Sequence, residues 1–294
     1  MQQLRDGREL SYAEYGASSG RPVLYFHGLP GSRLDPLPFA EEYRAEGIRV
    51  VAPDRPGYGR SSPRRRWGLL DWVGDVVELA DVLGIGRFAV LGYSSGGKYA
   101  AACAFSVPER LSAVGIVSGV GPASMPGFRD GLGKTDRLSM TLATRARPLA
   151  LLYWRVATWM VVRRPDSFVA EFEKELSDPD RAVIADPSFR QFLVETAREA
   201  LRDGPRGVVD DSAIQARDWG FALDRIGIHV RLWHGDADEV VPLSHSEHAA
   251  ATIPDSDLTV FPGEGHLLAP RFPEIVRAIS TLGPSAGSAL ETAG

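Results

Sequence analysis

Phe88-Ala89-Val90-Leu91-Gly92-Tyr93-Ser94-Ser95-Gly96-Gly97 is the stretch on which the fold turns. The short continuous apolar run from Phe88 to Leu91 fits a strand buried on both faces of a parallel sheet. Gly92, Ser94 and Gly96 then give Gly-x-Ser-x-Gly, the pattern of a serine held on a sharp strand-to-helix turn. The glycines supply small residues where the strand and helix backbones meet, and the small-residue stretch Tyr99 to Phe105 reads as a buried helix. Such a turn exposes Ser94 at the carboxyl end of the sheet, where open α/β sheets place their ligands. The same pattern recurs at Gly16–Gly20 and Gly283–Gly287. The first runs through Arg21-Pro22 into a strand, and the last has no strand before it. Only Ser94 has the context of a nucleophile. The side chain of its neighbour Ser95 reads as structural.

Working outward, Val23 to Phe26, Val50 to Ala52 and Val114 to Val117 are further apolar runs ended by Gly or Pro signals. Leu69, Trp72, Val73, Val76, Ala80 and Leu83 make the apolar face of a helix whose other face carries Asp71, Asp75, Glu78 and Asp81. Strand and helix in alternation predict an α/β fold with a mostly parallel central sheet. From 122 to 224 the pattern becomes helical and rich in Arg, Leu, Trp and Met, without clear strand runs. Alternation resumes with the strand His229 to Trp233, a helix near Ser244 to Ala251, the strand Leu258 to Phe261 and a helix from Pro273 to Leu282. The expected organisation is a core of 1–121 and 225–282, an inserted helical cap of 122–224 and a flexible tail of 283–294.

The chain has 294 residues, of which 44% are hydrophobic and 24% charged, ordinary globular usage that argues against a disordered or fibrous chain. A net charge of −5 gives no overall pull toward nucleic acid or anionic lipid. Arg64-Arg65-Arg66 reads as a solvated loop. Cys103 is the sole cysteine, so no intrachain disulfide can form. With no apolar run of membrane-spanning length and a polar N-terminus, a cytoplasmic protein is expected, with a small-molecule substrate and neither nucleic acid nor membrane as partner.

A serine hydroxyl needs a base to take its proton. Of six histidines, His266 sits in the loop Pro262-Gly263-Glu264-Gly265-His266, just past a strand and at the same sheet end as Ser94. His245 and His248 read as solvated on a surface helix, and His229 and His234 as packing or hydrogen-bonded residues. The base in turn needs a carboxylate to hold its tautomer. Asp238, one turn beyond a strand end in Trp233 to Pro242, is the candidate, with Asp236 as runner-up in a turn or capping role. Oxyanion donors are expected from the N–H of Ser95 and from the loop His27-Gly28-Leu29-Pro30-Gly31-Ser32, where the N–H of Leu29 is chosen because Pro30 has none. The ring of His27 is expected to brace this loop.

These residues resemble the α/β-hydrolase superfamily from about Leu10 to Leu282. The matching pieces are His27 to Ser32, Asp54-Arg55-Pro56-Gly57-Tyr58-Gly59-Arg60-Ser61, Gly92 to Gly97, Gly235-x-x-Asp238-x-x-x-Pro242 and Gly265-His266. The resemblance implies the α/β-hydrolase fold, a Ser94–Asp238–His266 triad and a helical cap that roofs the site. A serine at the elbow argues against the epoxide hydrolases and haloalkane dehalogenases of that superfamily, which carry aspartate there.

The expected activity is hydrolysis of a small, apolar ester, thioester, lactone or amide through an acyl-enzyme on Ser94. A C–C hydrolase, an acyltransferase or a lyase using the same triad, and a non-catalytic ligand-binding protein, stand as alternatives. Family membership does not name the substrate. No metal or cofactor is expected, because no His/Cys cluster has ligand spacing and no Gly-x-Gly-x-x-Gly follows a strand. Tyr93, Trp154, Trp219 and Leu267 are the candidate pocket residues. Lys98 is expected to reach outward to solvent, or else to meet a substrate anion.

Overall fold

The structure is a computed structural model that describes residues 1–280; the stretch expected to form a flexible tail, 283–294, lies outside the described residues. A two-stranded ribbon, β1 (Gln2–Gln3) and β2 (Glu9–Leu10), precedes the main sheet. The main sheet contains β3 (Tyr12–Gly16), β4 (Arg21–Phe26), β5 (Ile48–Pro53), β6 (Phe88–Tyr93), β7 (Leu111–Val117), β8 (Val230–Gly235) and β9 (Ser256–Phe261). Its order is β3-β5-β4-β6-β7-β8-β9, with β3 antiparallel to β5 and every other pair parallel.

The apolar runs are strands because both faces of the sheet are covered. Along β4, Leu24 and Phe26 enter one apolar cluster and Val23 and Tyr25 enter another, as alternation across a strand requires. The first cluster packs under α2 (Leu69–Val82), α3 (Gly97–Ser106) and α10 (Ser244–Thr252). The second packs under α1 (Ala40–Ala45) and α11 (Phe272–Ser280). The apolar face of α2 is buried as its periodicity predicts. Asp75, expected on its polar face, is instead buried because Arg8 takes both its oxygens at 2.8 and 2.5 Å.

Between β7 and β8 the chain forms α4 (Lys134–Arg145), α5 (Arg147–Arg163), α6 (Pro165–Glu173), α7 (Asp178–Ile184), α8 (Pro187–Ala200) and α9 (Arg206–Gln215). The insertion joins the core at close range. Gly207 at the start of α9 meets Gly57, where a Cβ on Gly207 would lie 2.6 Å from the Gly57 carbonyl oxygen.

Parallel register sets the site. Phe26 pairs with Gly92, Tyr93 with Val117, and Gly235 with Phe261. The loops leaving β4, β6, β7, β8 and β9 therefore open together at one edge of the sheet.

Candidate active site

Ser94 follows β6 with φ of +53°, in the left-handed region that costs a non-glycine residue roughly 1 kcal/mol or more. The turn is tight enough to need glycine on both sides. A Cβ on Gly92 would lie 2.5 Å from the Gly96 carbonyl oxygen, and one on Gly96 would overlap the carbonyl of Phe26. The helix can thus start against the strands, and Ser94 is presented at the sheet edge with 7% of its surface exposed.

Ser94 Oγ lies 3.0 Å from His266 Nε2, and His266 Nδ1 lies 2.7 Å from Asp238 Oδ2. Asp238 is fixed in turn by the N–H groups of Val240 and Val241, each donating to Oδ1 at 2.8 Å. His234, buried at the end of β8, comes within 3.1 Å of Asp238 Oδ2 through Nε2 and is oriented by Ser246 at Nδ1. Burial by itself would raise the Asp238 carboxyl. The facing His266 and the hydrogen bonds from His234 and His266 outweigh that and hold it well below the usual range. Burial opposes the charged form of His266, but Asp238, with Asp180 and Asp136 behind it, raises the imidazole above its ordinary value. Asp236 does not join this line: it is exposed and caps the turn by accepting from Gly263 N–H at 2.7 Å.

The loop carrying His266 is held by a residue without a motif to announce it. Asp180 on α7 accepts the N–H groups of His266 and Leu267, both at 2.8 Å, and is itself bonded by Ser177. Ser118, just past β7, donates to the His266 carbonyl at 2.9 Å. Gly265 leaves room for this clamp, since a Cβ there would push Asp180 and Ser177 out of place.

On the other side of Ser94 lies a buried ionic cluster. Lys98, on α3, is wholly buried: it pairs with Asp211 at 2.9 Å and donates to the Ser95 carbonyl at 3.0 Å and to Ser95 Oγ. Neither expectation for Lys98 holds. A side chain one turn into a helix that runs beneath the insertion has no route to solvent, and Asp211 of α9 supplies its counter-charge. Burial lowers the Lys98 ammonium to about 8 despite that partner. Arg55 shares Asp211 at 2.6 Å and donates to the carbonyls of His27 at 2.5 Å and Gly28 at 3.0 Å. Tyr58 and Tyr99 also donate to Asp211, at 3.0 and 2.7 Å. The ring of His27 sits inside this arrangement, accepting Arg55 N–H at 3.3 Å. His245, expected on the surface, is buried and accepts Gly121 N–H at 3.0 Å.

Beside Ser94 opens a cavity of about 110 Å³, lined in part by Leu29, Tyr93, His266 and Leu267. Trp154 and Trp219 lie elsewhere. Trp154 is buried within the insertion, its Nε1 donating to Ser139 at 3.0 Å, because α5 turns that face into its neighbouring helices. Trp219 packs against Phe221 in the core cluster under α3 and α10. The aromatic lining comes instead from Phe168 and Phe172 of α6, Phe189 and Phe192 of α8, and Phe39 and Phe272 of the core. Even spacing in a helical stretch could not say which rings face the cavity. Among the described residues no helix is long and apolar enough to cross a membrane.

Residues 21–273 match the profile of a family described as alpha/beta hydrolase fold. Over 265 residues the chain is 29% identical to the dihydrolipoyllysine-residue acetyltransferase component of an acetoin cleaving system from Cupriavidus necator, covering 89% of this chain. It spans 63% of that relative's length. It is 25% identical over 275 residues to a non-heme chloroperoxidase from Kitasatospora aureofaciens, covering 90% of this chain and 91% of that one. An alpha/beta hydrolase fold protein from Nakamurella multipartita is similar in structure with a TM-score of 0.69 and 28% identity, covering 97% of this chain and 98% of that one.

Proposed function

The chain belongs to the α/β-hydrolase-fold family, and from that premise we propose that it is a serine hydrolase cleaving a small, apolar ester, thioester, lactone or amide. The observation that carries this is the unbroken line from Ser94 Oγ through His266 to Asp238, with hydrogen bonds of 3.0 and 2.7 Å. Ser94 Oγ attacks the substrate carbonyl carbon while His266 Nε2 takes the hydroxyl proton. Asp238 fixes the tautomer that leaves Nε2 free to accept, and it stabilises the imidazolium that results. The oxyanion is met by the N–H groups of Leu29 and Ser95. The Gly28 carbonyl that takes Arg55 Nη2 belongs to the same peptide unit as the Leu29 N–H, so the guanidinium polarises that donor from behind. His266 returns its proton to the leaving group, and the C–O, C–S or C–N bond breaks. Water then attacks the acyl-enzyme by the same steps, giving up a proton through His266 to Ser94 Oγ.

The aromatic lining supports an apolar acyl or alcohol group, since such walls bind through buried area with a few polar groups setting orientation. The test is labelling with a fluorophosphonate probe followed by peptide mass mapping, with Ser94→Ala as control. Modification of Ser94 alone is expected. A folded protein that takes no label would sink the proposal.

A further inference from the structure

The cavity beside Ser94 is walled by rings, among them Tyr93, Phe192 and Phe272, and among the described residues carries one carboxylate in its lining, Asp35. Neutral donors hold that carboxylate: Gly28 N–H at 3.2 Å, Ser32 N–H at 3.0 Å and Thr196 Oγ1 at 2.5 Å. Arg55 acts on it only through space, because its guanidinium is taken up by Asp211 and two carbonyls. Gly28 places Asp35 close to the chemistry. Its N–H meets Asp35, while a Cβ on the same residue would lie 3.5 Å from Ser94 Cβ.

A carboxylate drawn out of bulk water without a counter-ion is costly and favours whatever cation can reach it. The faces of the surrounding rings attract the same kind of group, and more strongly once it is desolvated. The charge also bears on the reaction. A negative group beside the position where an oxyanion forms opposes that charge build-up, and a substrate cation seated on it would cancel the opposition. Asp180, Asp136 and Asp238 add further negative charge on the His266 side. We propose that Asp35 and the surrounding rings form a cation subsite, and that the compounds turned over at Ser94 carry an ammonium group on an otherwise apolar skeleton. This deepens the serine-hydrolase reading and rests on it for turnover, whereas the binding half stands without it.

Two isosteric pairs test the two halves separately. For turnover, the 4-nitrophenyl esters of 4-(trimethylammonio)butanoic acid and of 5,5-dimethylhexanoic acid differ only in nitrogen against carbon at the branched centre. The wild type should prefer the ammonium ester by about tenfold in kcat/KM, the worth of one good cation contact. Asp35→Asn should bring that ratio to about one, whatever it does to the absolute rates by loosening the Gly28–Ser32 loop. For binding, ligand-observed NMR on Ser94→Ala should show phenyltrimethylammonium held more tightly than tert-butylbenzene. Equal or reversed preference in the wild type overturns the proposal and requires no variant to fold. Binding preference without turnover of either ester would leave the subsite standing and remove the hydrolase reading.

Discussion

On one side of Ser94 stand His266 and Asp238, joined by hydrogen bonds of 3.0 and 2.7 Å along which we propose that the proton moves. On the other stand Arg55, Lys98 and Asp211, wholly buried charges bound to carbonyls and to one another. Both flanks receive a carboxylate from the insertion: Asp180 of α7 on the proton-moving side, Asp211 of α9 on the fixed-charge side. The two are built for different work. A base that must change its charge in every cycle needs partners that favour imidazolium without locking it. Fixed charges under an oxyanion loop must not move at all, and their energy is spent in holding backbone. A change on the first flank should therefore appear in turnover, and a change on the second in stability.

The largest expected effect is on the first flank. Asp238→Asn keeps the shape but favours the wrong tautomer of His266, and should lower kcat by about 10⁴, the cost of that change in a serine triad. Its urea midpoint should stay near that of the wild type. A variant within threefold of wild-type turnover would remove Asp238 from the role, and Asp236, committed to Gly263, would not be positioned to replace it.

Next comes the second flank. Asp211→Asn leaves Arg55 and Lys98 buried without their counter-charge, which should cost about 3–5 kcal/mol in equilibrium unfolding. Adding Lys98→Met to that variant should recover part of the loss, because one uncompensated charge fewer remains. If both variants unfold at the wild-type midpoint, the cluster does not hold the fold. The contrast between flanks then fails.

Asp180→Asn tests whether the flanks differ in kind. Asp180 holds the backbone of His266 and also raises its imidazole, so it belongs partly to each class. Losing the clamp should lower kcat by roughly 10–100-fold, the scale of a misplacement of about 1 Å. The acid limb of the kcat/KM profile should move to lower pH. A loss of stability with an unmoved acid limb would make Asp180 a purely structural brace.

What could be read in advance follows the same division. The core strands are legible because burial on both faces leaves continuous apolar runs, as in Val23 to Phe26. The edge strand β3 has no such signature, because Tyr12-Ala13-Glu14-Tyr15-Gly16 is only half covered and carries no apolar run. Ser94, Asp238 and His266 could be picked out because each sits in a local loop pattern just beyond a strand. Asp180, Asp211 and Asp35 could not: beside any local bonds, each meets a decisive partner far along the chain, His266, Arg55 and Thr196, at separations of 86, 156 and 161 residues. The burial of Lys98 is hidden from its own neighbourhood for the same reason, since it is decided by a helix more than a hundred residues further along the chain. Asp54-Arg55-Pro56-Gly57 was visible as a motif, but the service of Arg55 to the Gly28 carbonyl needs the folded register to be seen.

The smallest predicted effect separates charge from contact. Asp136 on α4 acts on His266 through the field and is a weaker influence than Asp180. Burial raises its own carboxyl to about 6, with His266 and Lys98 pulling the other way, so its charge is present above that pH and fades below it. In the proposed mechanism His266 must be neutral to accept the serine proton. A raised imidazole therefore confines full activity to pH values above its own pKa, and activity is lost as pH falls through it. Replacing Asp136 with Asn takes away one group that favours imidazolium, so the acid limb should shift to lower pH, by less than for Asp180→Asn. The kcat plateau at alkaline pH should match the wild type, because no hydrogen bond to the His266 loop has been cut. A pH–rate profile of the wild type and both variants, taken on one substrate from pH 5 to 9, reads all of this at once. A shift with an intact plateau for Asp136→Asn and a shift with a lowered plateau for Asp180→Asn would separate field from geometry on the proton-moving flank. A lowered plateau for Asp136→Asn would mean that α4 also positions His266, and the division between the two flanks would then have to be redrawn to include it.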